Sequence, residues 1–176
     1  MKRLGLPKPG SKIVHFAPEK CLEAAFKGLP QVSYVSADVL PHRAMIQADL
    51  QDIQLPSNSV DLLICSHVLE HVDDDRQAMR ELARVLTPEG RALLQIPLDI
   101  GRQDTYEDFT IVTPEGRREA FGQDDHVRIY GMDVTQRLES AGFRVESYES
   151  VKECSPEVLR EWAIAADEVL YVCAKK

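Results

Sequence analysis

The chain has 176 residues, 44% of them hydrophobic, enough for one compact domain that buries roughly two thirds of its unfolded surface and too few for a second full domain. A formal charge of −8 gives a field that repels phosphate backbones, and the densest basic knot, "GRREAF" at 116–121, is flanked by acids, so nonspecific nucleic-acid binding is not expected. No run approaches the ~20 apolar residues of a membrane span, and no apolar signal core follows the basic "MKRLGLPKPGSK", so a cytoplasmic, membrane-free protein is the expectation.

In chain order, "KIVHF" (12–16) reads as a strand and "PEKCLEAAFKG" as a helix, with Cys21, Leu22, Ala25 and Phe26 at helical spacing. "QVSYVSAD" and "AMIQADL" read as short strands ending near Asp38 and Asp49. "SVDLLICS" (59–66) is the continuous apolar run of a strand covered on both faces. Asp73 to Asp75 then suit a helix N-terminus, and Ala78, Met79, Leu82, Val85 and Leu86 form its apolar stripe. "TPEG" ends that helix before the buried strand "RALLQIPL".

Residues 99–131 break the rhythm and read as an insertion. "DVTQRLESAG" follows as a helix burying Val134, Leu138 and Ala141, with Gly142 as its terminal glycine. "FRVESYESV" and "EVLYVCAKK" read as strands, with a short helix near "SPEVLREWA" between them. Cys21, Cys65, Cys154 and Cys173 contain no C-x-x-C pair and are expected to be reduced, buried thiols. The alternation of strands and helices predicts an α/β, Rossmann-like three-layer sandwich, one domain over 1–176, in which ligands bind at the carboxyl ends of the strands.

One segment supports two chemistries. "CSHVLEHVDDD" (65–75) holds His67, Glu70 and His71 in the H-x-x-E-H order of one group of zinc proteases. Those proteases carry the motif on a helix, whereas here it directly follows a buried strand and the helical pattern begins only after "DDD". A zinc hydrolase is therefore the weaker reading, and no metal ligand set is assigned.

The run "IQADLQDIQLPSNSVDLLICSHVLEHVDDDRQAMRELARVLTPEGRALLQIP" closely resembles the middle of class I S-adenosylmethionine-dependent methyltransferases. The resemblance extends over about 11–176 and implies a mostly parallel seven-stranded sheet with an antiparallel last strand. It also implies S-adenosyl-L-methionine as cofactor and S-adenosyl-L-homocysteine as product. By this resemblance Asp38 accepts the ribose hydroxyls, Asp49 accepts from the adenine amino group, Leu50 packs on the ring, and Ser66, His67 and His71 surround the methionine end.

The first loop departs from the family. Where the family has broadly D-x-G-x-G, this chain has "HFAPEKC": His15 stands in the acid's place, followed by Phe16, Ala17 in the first glycine's place and Glu19 in the second's. Glu19 is the candidate carboxylate for the cofactor's ammonium; the plain alternative is a helix-start acid after Pro18. On the acceptor side, an extended "DDHVRIYG" would put His126, Arg128 and Tyr130 on one face, His126 as a base and Arg128, Tyr130 and Tyr106 as acceptor contacts. Alternatively Arg128 pairs with Asp124 or Asp125 in a surface loop. A small-molecule or glycan-type acceptor is expected, and the alternative is a noncatalytic, cofactor-binding partner domain, suggested by the missing glycines and by the roughly ten residues ahead of the first strand, where the family often carries acceptor-covering helices.

Overall fold

The computed structural model of the chain describes residues 7–161 and 168–176. One seven-stranded sheet runs in the order β3-β2-β1-β4-β5-β9-β8. Its members are β1 (Lys12–Phe16), β2 (Ser33–Asp38), β3 (Ile46–Gln47), β4 (Val60–Ser66), β5 (Leu86–Gln95), β8 (Phe143–Glu149) and β9 (Val169–Lys175). Neighbouring strands from β3 to β5 are parallel, while β9 pairs antiparallel with both β5 and β8. The single reversed strand is therefore β9, as the resemblance implies.

The central strand is the most apolar because it is covered on both faces: Leu62, Leu63, Ile64 and Cys65 of β4 are all buried. Alternation sorts β1 between two cores, with Val14 and Phe16 in the larger cluster and Ile13 in the smaller. The larger cluster is closed by α2 (Asp75–Val85), whose Ala78, Met79, Leu82, Ala83 and Val85 are buried, and by α4 (Val134–Ser140), which buries Val134 and Leu138. Asp74 caps α2 by accepting from the Gln77 amide at 2.8 Å, one of the unpaired donors of a helix start. Gly142, at φ +106, ends the turn after α4 as expected.

Three expectations change. The "TPEG" turn lies inside β5, which starts directly after α2: the pairing jumps from Val60↔Leu86 to Leu62↔Arg91, so residues 87–90 are bulged out. α1 (Lys20–Lys27) buries only Phe26, which stacks on Tyr34 with ring centroids 5.9 Å apart, and Cys21 and Leu22 of the anticipated stripe are exposed. The thiol at Cys21 is thus not a core group, because a helix of eight residues on a sheet edge needs only one anchor row. Finally, the insertion has its own structure: β6 (Tyr106–Glu107) and β7 (Arg128–Ile129) pair antiparallel around α3 (Pro114–Phe121), which Thr113 caps through the Gly116 amide.

The chain between β8 and β9 forms α5 (Ser150–Glu153) and α6 (Pro156–Glu161), and the end of the helix expected at "SPEVLREWA" lies outside the described residues. Among the described residues no helix is long and apolar enough to cross a membrane.

Candidate functional site

The strand order reverses between β1 and β4, where successive connections leave in opposite directions and open a crevice at the carboxyl ends. A cleft of ≈ 620 Å³, counting its open mouth, lies there. Phe16, Ala17, Asp38, Asp49, Leu50 and His71 line it together with Val39, Ala48, Gln51, Val68, Val72 and Asp73. Six of the ten residues expected at the cofactor thus share one cavity.

Its acids keep part of their capacity free. Asp38 takes the Leu40 amide on Oδ1 at 2.8 Å, and Asp49 takes the Gln51 amide on Oδ1 at 2.8 Å. In each, Oδ2 has no partner among the described residues, so each carboxylate is oriented by its own turn and still able to accept from a ligand. Leu50 is buried beneath them.

The glycine-free loop achieves its turn with alanine. Ala17 sits at φ +47, in the left-handed region where glycine is normally used, and its amide bonds to the Ala37 carbonyl at 2.9 Å. A left-handed alanine costs roughly 1–2 kcal/mol, a cost the surrounding sheet contacts offset. Alanine is the smallest side chain that bears this cost, so the backbone still approaches the cleft closely.

His15 does not reach that cleft. Its ring is fully buried on the α1 side of the sheet, bonded through Nε2 to Glu19 Oε2 at 2.6 Å and through Nδ1 to the Tyr34 hydroxyl at 3.1 Å. Alternation along β1 sends side chain 15 away from the side of Val14 and Phe16, so the ring lies across the sheet from the cleft where the cofactor contact was expected. Burial raises the Glu19 carboxyl, but hydrogen bonds from His15, the Glu19 backbone and Ser66 outweigh it, so Glu19 is held below the usual glutamate range. Burial, followed by the charges of Glu23 and Glu19, pushes the Tyr34 hydroxyl up to about 12. Glu19 is the cap residue of α1, so the helix begins at Lys20, two residues after Pro18.

His67 also departs from expectation. At φ +52 its side chain turns into a neighbouring depression lined by Gln95, Ile96, Pro97, Leu98 and Glu168, with Nδ1 3.4 Å from Glu70 Oε1. The hydrogen bond to Glu70 raises the His67 pKa more than burial lowers it. Residues 67–73 form no helix, so His67, Glu70 and His71 do not share the helix face that the zinc-protease motif requires.

On the acceptor side, Pro97, Leu98, Asp99, Phe121, His126, Arg128 and Ile129 line a further cavity. His126 is buried, and burial, then the nearby His71, lowers its pKa. Tyr106 is partly exposed and leans over Phe121 at 5.6 Å. Arg128, which also lines this cavity, and Tyr130 are both buried and hydrogen-bonded within the protein. Arg128 donates to the carbonyls of Leu69, Val72 and Asp73 and to Glu107, while the Tyr130 hydroxyl donates to Asp75 Oδ2 at 2.8 Å. Arg137 completes this buried network with Asp75 at 3.0 Å and Glu107 at 3.2 Å. The alternation read into "DDHVRIYG" gives no wet face because the segment is covered on both sides; Arg118, not Arg128, pairs with Asp124. No sequence signal marked this network, since its members lie in different elements.

Residues 19–94 match the family model of a methyltransferase domain. The uncharacterized methyltransferase YcgJ of Bacillus subtilis is 40% identical over 48 residues, which are 27% of this chain and 19% of that protein. A Mycobacterium tuberculosis protein named a probable S-adenosylmethionine-dependent methyltransferase is 37% identical over 57 residues, 32% of this chain and 21% of its own length. The matches thus cover no more than about a third of the curated relatives' lengths. Among solved structures, YcgJ superposes with TM-score 0.64 at 16% identity over 99% of this chain and 98% of that one. The methyltransferase in complex with the Haloferax volcanii Trm112 methyltransferase activator gives 0.69 at 13% identity, over 99% of this chain and 87% of its own. An S-adenosylmethionine dependent methyltransferase from Mesorhizobium loti gives 0.63 at 19%, over 98% and 95%. Over residues 19–94 the chain is therefore similar to a methyltransferase domain, its fold is that of the solved methyltransferases, and the cofactor that this likeness implies is S-adenosyl-L-methionine.

Proposed function

We propose that the protein transfers a methyl group from S-adenosyl-L-methionine to a small-molecule or glycan-type acceptor. The observation that carries this reading is the joint presence of Asp38 and Asp49, each with an unengaged carboxylate oxygen, in the cleft beside the β1–β4 reversal. Asp38 would accept the ribose hydroxyls, Asp49 would accept from the adenine amino group, and Leu50 would floor the ring. Glu19, held anionic by His15 and Ser66, would take the ammonium, with His71 on the cleft wall. When bound, the cofactor supplies a methyl group already activated by positive sulfur. What remains for the protein is to align the acceptor and exclude water.

The cavity of Pro97, Leu98, Asp99, Phe121 and His126 would receive the acceptor, with Tyr106 at its outer side. His126 is the group there best suited to handle a proton, alone as a neutral base or together with Glu70 and His71. The formal charge of −8 supports an acceptor other than nucleic acid. Nothing in this reading needs a membrane surface, and it places the reaction in the cytoplasm.

Calorimetric titration with S-adenosyl-L-homocysteine tests the reading. Saturable one-to-one binding is expected, weakened by Asp38→Ala by about ten- to a hundredfold, the loss of charge-assisted hydrogen bonds worth ~1.5–3 kcal/mol. Absence of binding at millimolar ligand would overturn it in favour of a second reading, a domain completed by a partner. The exposed apolar side chains Val39, Leu40, Met45 and Ile46, gathered around the short edge strand β3, favour that second reading. The Haloferax volcanii neighbour, itself in complex with an activator, gives it a precedent.

A further inference from the structure

Between the cofactor cleft and the acceptor-side cavity, Glu70, His71 and His126 converge. Each offers one ligand atom, and the three atoms lie within 4.8 Å of one another. His71 lines the cleft and His126 the cavity, so the cluster stands at the boundary of the two. We propose that Glu70, His71 and His126 bind one divalent transition-metal ion, and that this ion holds an oxygen of the methyl acceptor.

Four observations carry the assignment. Glu70 is buried, and its Oε2 has no hydrogen-bond partner among the described residues, a costly state for a carboxylate that a cation would relieve. His71 Nδ1 faces the Asp125 carbonyl at 3.3 Å and its carboxylate at 3.4 Å, which leaves Nε2 as the free nitrogen. The His71 ring thus has the outer partner that metal-binding histidines use to fix orientation and tautomer. His126 is buried and lines the acceptor-side cavity beside Phe121. The ring centroids are 4.6 Å apart and nearly perpendicular, at 84°, so the rings do not stack flat against each other.

The support is also rigid. The Val127 amide bonds to the Glu70 carbonyl at 3.0 Å, and Arg128 holds the carbonyls on either side of Glu70 and His71, at Leu69 and Val72. Tetrahedral ligands at ~2.0–2.1 Å stand about 3.4 Å apart, so the set must contract by at most about 1.4 Å, which rotation of the half-buried His71 supplies. Two imidazoles and one carboxylate leave coordination positions open, as in catalytic rather than structural sites.

The acceptor class follows and rests on the methyl-transfer reading. A hydroxyl bound at an open position would become more acidic and release its proton to solvent, so that with the ion in place His126 serves as a ligand and not as the base. The acceptor oxygen then forms the new bond to carbon as the sulfur–carbon bond breaks and sulfur keeps the electron pair. His67, a zinc ligand only under the weaker motif reading, takes no part; it pairs with Glu70 from outside.

The test uses the untagged full chain, stripped with chelator and titrated with Co²⁺ followed by absorption, and with Zn²⁺ in competition. One equivalent of Co²⁺ with ligand-field bands is expected, displaced by Zn²⁺, with affinity at least about tenfold lower in Glu70→Gln and in His126→Ala. Neither residue lines the cofactor cleft, so S-adenosyl-L-homocysteine binding should survive in both. Glu70→Gln keeps side-chain size and serves should His126→Ala fail to fold. No stoichiometric Co²⁺ binding, or binding indifferent to both substitutions, overturns the site. Metal binding without S-adenosyl-L-homocysteine binding would leave the metal site standing and remove the oxygen-acceptor role.

Discussion

Replacing Arg128 by methionine probes how the site is held together. Arg128 is buried with its guanidinium donating to three carbonyls, Leu69, Val72 and Asp73, and to the Glu107 carboxylate at 3.1 Å. Methionine fills much of the volume but satisfies none of these groups. Breaking a buried charged pair costs about 3–5 kcal/mol, since the partner stays buried without compensation. A loss near 4 kcal/mol lowers the melting temperature of a domain this size by about 8–16 °C. Because Leu69 to Asp73 carry His71 and part of the cleft wall, S-adenosyl-L-homocysteine affinity should fall as well, even well below the new melting point. Urea denaturation and calorimetry on Arg128→Met measure both effects. A stability change below about 1 kcal/mol would refute the claim that this arginine is structural, and would return it to the acceptor side.

Two further outcomes follow from local chemistry. Glu19 has a folded pKa below the ordinary value of 4.5, so its contribution to stability is present above that pH and is lost as pH falls through the folded value. Denaturation from about pH 5 to about pH 3.5 should therefore cost the wild type more stability than Glu19→Gln; equal losses would show that the His15–Glu19 contact carries no such linkage. Brief maleimide labelling of the folded protein, read by mass spectrometry, should modify Cys21 first and leave Cys65 and Cys173 unlabelled, since burial excludes the reagent and pushes the Cys173 thiol up to about 12. Rapid labelling of Cys65 would contradict the two-sided cover of β4.

The sheet was readable in the sequence because its strands carry a local signal. "KIVHF" and "SVDLLICS" are short runs rich in apolar residues, and their order, alternating with helical stripes, leaves few topologies for a parallel sheet. Asp38 and Asp49 were placed for the same reason: a residue at a strand end goes where the strand takes it. Residues 99–131 resisted because β6 and β7 are two residues each, shorter than any periodicity can register.

Side-chain direction was the part that only the tertiary structure decided. His15 and His67 are each next to the cleft in sequence, yet one is turned into the α1 face by strand alternation and the other away by a left-handed backbone. Arg128, read as an acceptor contact, is taken up by carbonyls more than fifty residues distant. His126 joins Glu70 and His71 through a fold-back of similar length, which no spacing rule could announce. The sequence determined which elements form and in what order, because propensity and periodicity are local. The tertiary structure decided which buried polar groups meet, because each must be satisfied by whatever the packing brings within hydrogen-bond reach.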